Sequence, residues 1–130
     1  MKWLLDVDVL CALAWESHER HKEARQWLDG GAKVVTSPIS ELGFLRVSLR
    51  AYGARFSDAV AALTDITHRA GFISDAVRVA DLPECTPGQS TDAHLVVLAR
   101  HHKLKLATFD NGLANQSWAK GVAENPLVRG

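Results

Sequence analysis

The sequence predicts an α/β domain in which helices flank a central parallel sheet. Three observations lead there. Short apolar runs, "WLL" at 3–5, "KVVT" at 33–36 and "KLKLATF" at 103–109, have the length of strands and the composition of strands buried on both faces. Between them, apolar residues recur at helical spacing. Helix-start and helix-stop residues punctuate the alternation, which is the pattern of parallel strands joined by helical crossovers.

Taken in order, residues 2–6 form the first strand and 9–15 (VLCALAW) a short helix. Ser17 caps a helix that runs to Asp29, with Ala24, Trp27 and Leu28 on one face and Gly30 as its stop. Residues 33–36 are the second strand. Ser37 followed by Pro38 opens a helix to Ala51, with serine at the cap and proline at the first helical position. Ser57 caps the next, in which Ala59, Leu63, Ile66 and Ala70 share a face before Gly71. "AVRVA" at 76–80 reads as a third strand, and "DLPECTPGQ" as a loop on its Pro and Gly content. A helix from Ser90 or Thr91 to His102 precedes a fourth strand at 103–109, and a helix and a last short strand near Leu127 complete the chain. Nothing resembles a repeat or linker, so residues 1–130 are expected to form one domain.

Composition narrows the function. Fifteen Lys and Arg balance fifteen Asp and Glu, so no global field draws in nucleic acid and any such contact must be local. Cys11 and Cys85 lack metal-type spacing and read as incidental thiols in a reducing compartment. The first apolar stretch carries acids and no run approaches a membrane span, so a cytoplasmic protein is expected.

The informative residues are misplaced carboxylates. Asp6 closes "WLL" and Asp110 closes "KLKLATF". Asp92 shares its helix face with Leu95, Val96 and Ala99, and Glu41 shares its face with Phe44 and Leu45. Two acids thus end strands and two begin helices, and in a parallel sheet these positions lie on the rim where such folds bind ligands. Each acid alone has a structural explanation, as a complement to the helix dipole or as a turn residue. Together they crowd: two like charges about 4 Å apart repel by roughly 4 kcal/mol at an effective dielectric of 20. Hard, oxygen-seeking Mg²⁺ or Mn²⁺ would relieve that repulsion.

The stretches "LLDVDVLCAL", "SPISELGFLR" and "TDAHLVVLARHHKLKLATFD" resemble, in this order, the acidic motifs of PIN-domain ribonucleases, specifically the VapC-type toxins of toxin–antitoxin systems. The resemblance spans residues 2 to about 112, and the third stretch is its most specific part. It implies a parallel α/β fold, an RNA substrate, a homodimer and a cognate antitoxin that holds the toxin inactive and represses their operon. It also implies that Asp6, Glu41, Asp92 and Asp110 bind one or two Mg²⁺ or Mn²⁺ ions, with Thr108 as the hydroxyl residue beside the last acid. Asp8 departs from the pattern, which usually has Asn there. An added acid could bind metal, hydrogen-bond Asp6 or disturb the site.

Other features have plainer readings. His18 and His21 read as a solvated surface pair, since no third ligand is near in sequence. "ARHHK" at 99–103 complements a helix C-terminus. Arg46 and Arg50 form an i, i+4 ridge on the Glu41 helix, open between guiding an RNA backbone and forming a solvated face or dimer contact. Two rivals stand beside the nuclease. "DVDVL" also resembles the first motif of haloacid-dehalogenase phosphohydrolases, with Asp6 as nucleophile and Asp8 as acid, although the later motifs of that family are absent. The other rival is a PIN-fold binding module with its site weakened at Asp8.

Overall fold

A computed structural model describes residues 1–127. Its five strands are β1 (Lys2–Leu5), β2 (Lys33–Thr36), β3 (Gly71–Phe72), β4 (Lys105–Ala107) and β5 (Ala123–Glu124). They form one sheet in the order β3-β2-β1-β4-β5, and every neighbouring pair is parallel. Among the described residues the α-helices are α1 (Val7–Ala14), α2 (His21–Asp29), α3 (Pro38–Ala51), α4 (Phe56–Thr67), α5 (Ser90–His101) and α6 (Asn111–Ala114).

The two-residue period of the strands divides the core. Leu5, Val34 and Ala107 face a cluster that includes Leu10 and Leu13 of α1, Leu28 of α2, Phe44 of α3 and Ile66 of α4. Leu4, Val35 and Leu106 face the other side, against Leu95, Val96, Leu98 and Ala99 of α5 and Leu113 of α6. The β1-to-β2 and β2-to-β3 crossovers therefore cover one face and the later ones cover the opposite face. The reversal falls between β1 and β4.

Local chemistry explains the best-read elements. Ser37 caps α3 by accepting the Ser40 N–H at 3.3 Å, while Ser40 Oγ accepts the Ser37 N–H at 2.9 Å. Gly43 lets α3 approach α1, because a Cβ there would sit 2.5 Å from Cγ2 of Val7. The C-terminal carbonyls of α1 are satisfied from α2: His21 Nδ1 lies 2.7 Å from the Ala12 carbonyl, and Arg25 reaches the Leu13 carbonyl at 3.5 Å. Cys11 and Cys85 are free; Cys11 is buried, and burial pushes its thiol up to about 12.

Several expectations are corrected. The helix expected from Ser17 begins at His21, because residues 16–20 fold as turns in which the Arg20 N–H donates to His18 Nδ1 at 3.0 Å. No strand forms at 76–80; Asp81 accepts the Arg78 N–H at 2.9 Å and draws Val79–Asp81 into a 3-10 turn, leaving Val79 85% exposed. The third strand is Gly71–Phe72, too short to show a period, and it pairs with Val35 and Thr36. The last strand lies at Ala123–Glu124 and not near Leu127. The helix expected at Ser57 starts at Phe56 and ends at Thr67, before Ala70. The fourth strand is shorter than residues 103–109, since Lys103, with φ 58, still belongs to the turn that closes α5.

Candidate active site

The four acids reach one rim of the sheet from four elements. Asp6 follows β1 and caps α1, its Oδ1 accepting the Asp8 N–H at 2.9 Å. Asp110 follows β4 and caps α6, its Oδ1 accepting the Leu113 N–H at 3.0 Å. Because β1 and β4 are parallel neighbours whose chains depart to opposite faces, these two aspartates flank the topological switch point, where open α/β sheets form their ligand crevice. Asp92 stands in the first turn of α5 and Glu41 in the first turn of α3.

Their electrostatics link three of the four. Asp6 is only 6% exposed, and burial above all pushes its carboxyl up to about 7. The Thr108 hydroxyl and the Asp8 amide offset part of that, and the charges of Asp92 and Asp8 add to it. Half-buried Asp92 is pushed up to about 6, first by burial and then by the charge of Asp110. Thr108, 1% exposed, accepts the Asp110 N–H at 3.1 Å and so ties the first and last acids together. Glu41 is held separately: its Oε2 accepts the Thr36 hydroxyl at 2.7 Å, at the end of β2, and it is not among the charges acting on Asp6 or Asp92.

Among the described residues no three His, Cys, Asp or Glu side chains are drawn together tightly enough to enclose an ion. The donors present are carboxylates and a hydroxyl, and Mg²⁺ is usually held through one or two carboxylates while keeping several waters. The open, all-oxygen set fits such an ion.

Asp8 and His18 take unexpected places. The exposed Asp8 carboxylate lies 3.0 Å from His18 Nε2, and it is the Asp8 backbone N–H that serves Asp6. His18 Nδ1 accepts the Arg20 N–H, so the neutral ring carries its proton on Nε2 and donates to Asp8. The His18 side chain is only 9% exposed and His21 is bonded to α1, so the two histidines are not a solvated pair. Sequence reasoning also missed Arg20, whose guanidinium lies 5.2 Å over the ring of Phe109, and the open pocket beside it. Arg20 comes from a turn with no periodic signal; Phe109, an aromatic between Thr108 and Asp110, was the available clue. Arg46 and Arg50 are exposed on α3 and form no ion pair among the described residues. At about 1.5 Å per residue they lie roughly 7 and 13 Å down the axis from Glu41. The His101–His102 pair is at the far end of α5 from Asp92, as a dipole-complementing pair would be.

This combination, a parallel sheet with acids at its switch point, defines a class that comparison makes specific. A family model described as PIN domain matches residues 3–118. The chain is 39% identical over 123 residues to ribonuclease VapC38 of Mycobacterium tuberculosis, covering 85% of this chain and 86% of the relative. Its fold matches the crystal structure of M. tuberculosis VapC20, a sarcin-ricin-loop-cleaving toxin, with a TM-score of 0.66 at 18% identity over 88% of this chain and 93% of that one. It also matches VapBC2 from Rickettsia felis bound to a DNA fragment from their promoter, with a TM-score of 0.68 at 12% identity over 96% and 98% of the two chains. The chain belongs to the PIN-domain family, among its VapC-type toxin ribonucleases. That membership separates it from the haloacid-dehalogenase phosphohydrolases. Among the described residues no helix is long and apolar enough to cross a membrane.

Proposed function

We propose that the chain is a Mg²⁺- or Mn²⁺-dependent endoribonuclease, the toxin of a type II toxin–antitoxin pair. The observation that carries the reading is the set of carboxylates at the switch point between β1 and β4, where the charge of Asp92 acts on Asp6 and that of Asp110 acts on Asp92, in a family whose relatives are named ribonucleases. Asp6, Glu41, Asp92 and Asp110 would hold the metal. When bound, such an ion activates water and stabilises charge on the cleaved phosphodiester. The protein's part is to hold these acids in place. The helix caps orient Asp6 and Asp110, Thr108 spans them, and Thr36 fixes the Glu41 carboxylate. Burial keeps Asp6 and Asp92 poised to give up protons to a competing cation. Arg46, nearer the acids than Arg50, could take an RNA phosphate on the approach.

A protein partner is part of the same reading. Leu42, Leu49, Phe56 and Val60 are exposed on α3 and α4, which supports contact with an antitoxin or a second copy of the chain. VapBC2 from R. felis is bound to a DNA fragment from its promoter, and we extend to this chain an arrangement in which an antitoxin partner and promoter DNA take part. The test is cleavage of an RNA panel by purified protein with Mg²⁺ or Mn²⁺ and with a chelator. Internal cuts that need the metal support the reading. Tight RNA binding without cutting would favour a PIN-fold binding module.

A further inference from the structure

Beside the acids lies a pocket of about 540 Å³ whose walls include Asp8, His18, Arg20, Tyr52, Phe109 and Asp110. We propose that it is a nucleotide subsite, seating an unpaired base next to the scissile phosphodiester and setting which base is tolerated there. The inference rests on the RNA cleavage proposed above. Position is the first argument. Phe109 stands between Thr108 and Asp110, and Asp110 itself borders the pocket, so an RNA strand lying across the acids passes its mouth.

Chemistry is the second. The Arg20 guanidinium stacks on Phe109 at 5.2 Å, His18 lies 6.0 Å from the same ring, and Tyr52 contributes another aromatic wall. Flat aromatic and guanidinium faces suit a base. A phosphate would meet Asp8, Glu19 and Asp110 with one arginine to oppose them, whereas those carboxylates can accept from exocyclic amines of a base. Arg20 lines the pocket and makes no side-chain hydrogen bond or ion pair among the described residues, so its N–H groups are uncommitted.

Rigidity is the third. His18 accepts the Arg20 N–H and contacts Asp8, which pins the loop from the site side. At the loop's start Trp15 donates Nε1–H to Ser48 at 2.9 Å and stacks on Tyr52 at 6.1 Å. The walls are therefore in place before a ligand arrives, which lowers the ordering cost of binding.

The experiment compares kcat/KM for RNAs that differ only at the nucleotide flanking the cut, for wild type, Phe109→Leu and Arg20→Gln. Leu keeps most of the packing volume of Phe109 and removes the stacking face; Arg20 lies outside the core, so its variant should fold. The ratio of best to worst base should fall about tenfold or more in both variants, while Mg²⁺ or Mn²⁺ still raises the Tm as in wild type. A uniform slowing with the ratio preserved would make Arg20 a backbone contact and overturn the subsite. Unchanged rates and ratio would overturn it too and leave the pocket to a protein partner. A wild type that cuts no RNA would overturn the nuclease reading and the subsite together, whereas cutting with an intact preference in both variants sinks the subsite alone.

Discussion

At the residue scale, Asp6 joins two opposed demands. As a cap it is best ionised, yet its burial favours the protonated form, and its carboxyl stands near 7 in place of 3.8. A carboxyl raised on folding contributes stability that is fully present below the unfolded value and is lost as pH rises through the folded one. Without metal, stability should therefore fall between about pH 4 and about pH 7, by on the order of 4 kcal/mol if the shift acts undiminished. Asp92, raised to about 6, acts in the same direction. Urea denaturation across that range should show the decline, and Asp6→Asn should flatten it; an equally steep curve in the variant would assign the dependence to other groups. Asp92→Asn separates function from packing. It removes one charge from a crowded set, so stability should hold or rise, while cleavage should fall by orders of magnitude. A less stable variant that cuts RNA normally would return Asp92 to a purely structural role. These acids were legible in the sequence because each breaks an apolar pattern. The partnership of Asp8 with His18, and of Arg20 with Phe109, was not, because those contacts join residues with no common period.

At the element scale, the approach of α3 to α1 sets where Glu41 stands relative to Asp6. It depends on Gly43, whose missing Cβ leaves room for Cγ2 of Val7 at 2.5 Å. Val7 is β-branched and stiff in its helix, so it yields poorly. Gly43→Ala gains about 1 kcal/mol of helix propensity but meets an overpacking penalty of roughly 1–3 kcal/mol. The expected net result is a loss on the order of 1 kcal/mol, with a larger relative drop in cleavage as Glu41 is displaced. Thermal melts and rates together check this, and a stabilised variant with full activity would refute it. Helix α3 was readable because Ser37 and Pro38 announce it, and β1 and β2 because each carries consecutive apolar residues, Trp3 to Leu5 and Val34 with Val35, as a strand covered on both faces does. The two-residue β3 was not, since its place depends on hydrogen bonds to Val35 and Thr36 and not on its own residues. The alternation at 76–80 misled because Asp81 turns the backbone back on itself.

At the scale of the whole molecule, the rim charges bear on overall stability. A cation bound by the native rim and not by the unfolded chain stabilises by mass action, so Mg²⁺ or Mn²⁺ should raise the Tm of the wild type and leave that of an Asp6→Asn, Asp92→Asn double variant almost unmoved. An equal shift in both would place the ion elsewhere. The sheet order has a consequence in time as well as in space. Central β1 is completed by β4, and the Asp6 N–H bonds the Ala107 carbonyl at 3.1 Å, across most of the chain's length. Asp92 and Asp110 also come late in the sequence. During synthesis from the N-terminus, a ribosome that has released β1 to α4 has exposed half an acidic rim with an open strand edge beside it. The rim closes only when the segment carrying Asp110 emerges and inserts, a long-range pairing that is slow by topology. A growing chain would thus carry an incomplete acidic rim until the segment bearing Asp92 and Asp110 has been made and has folded in.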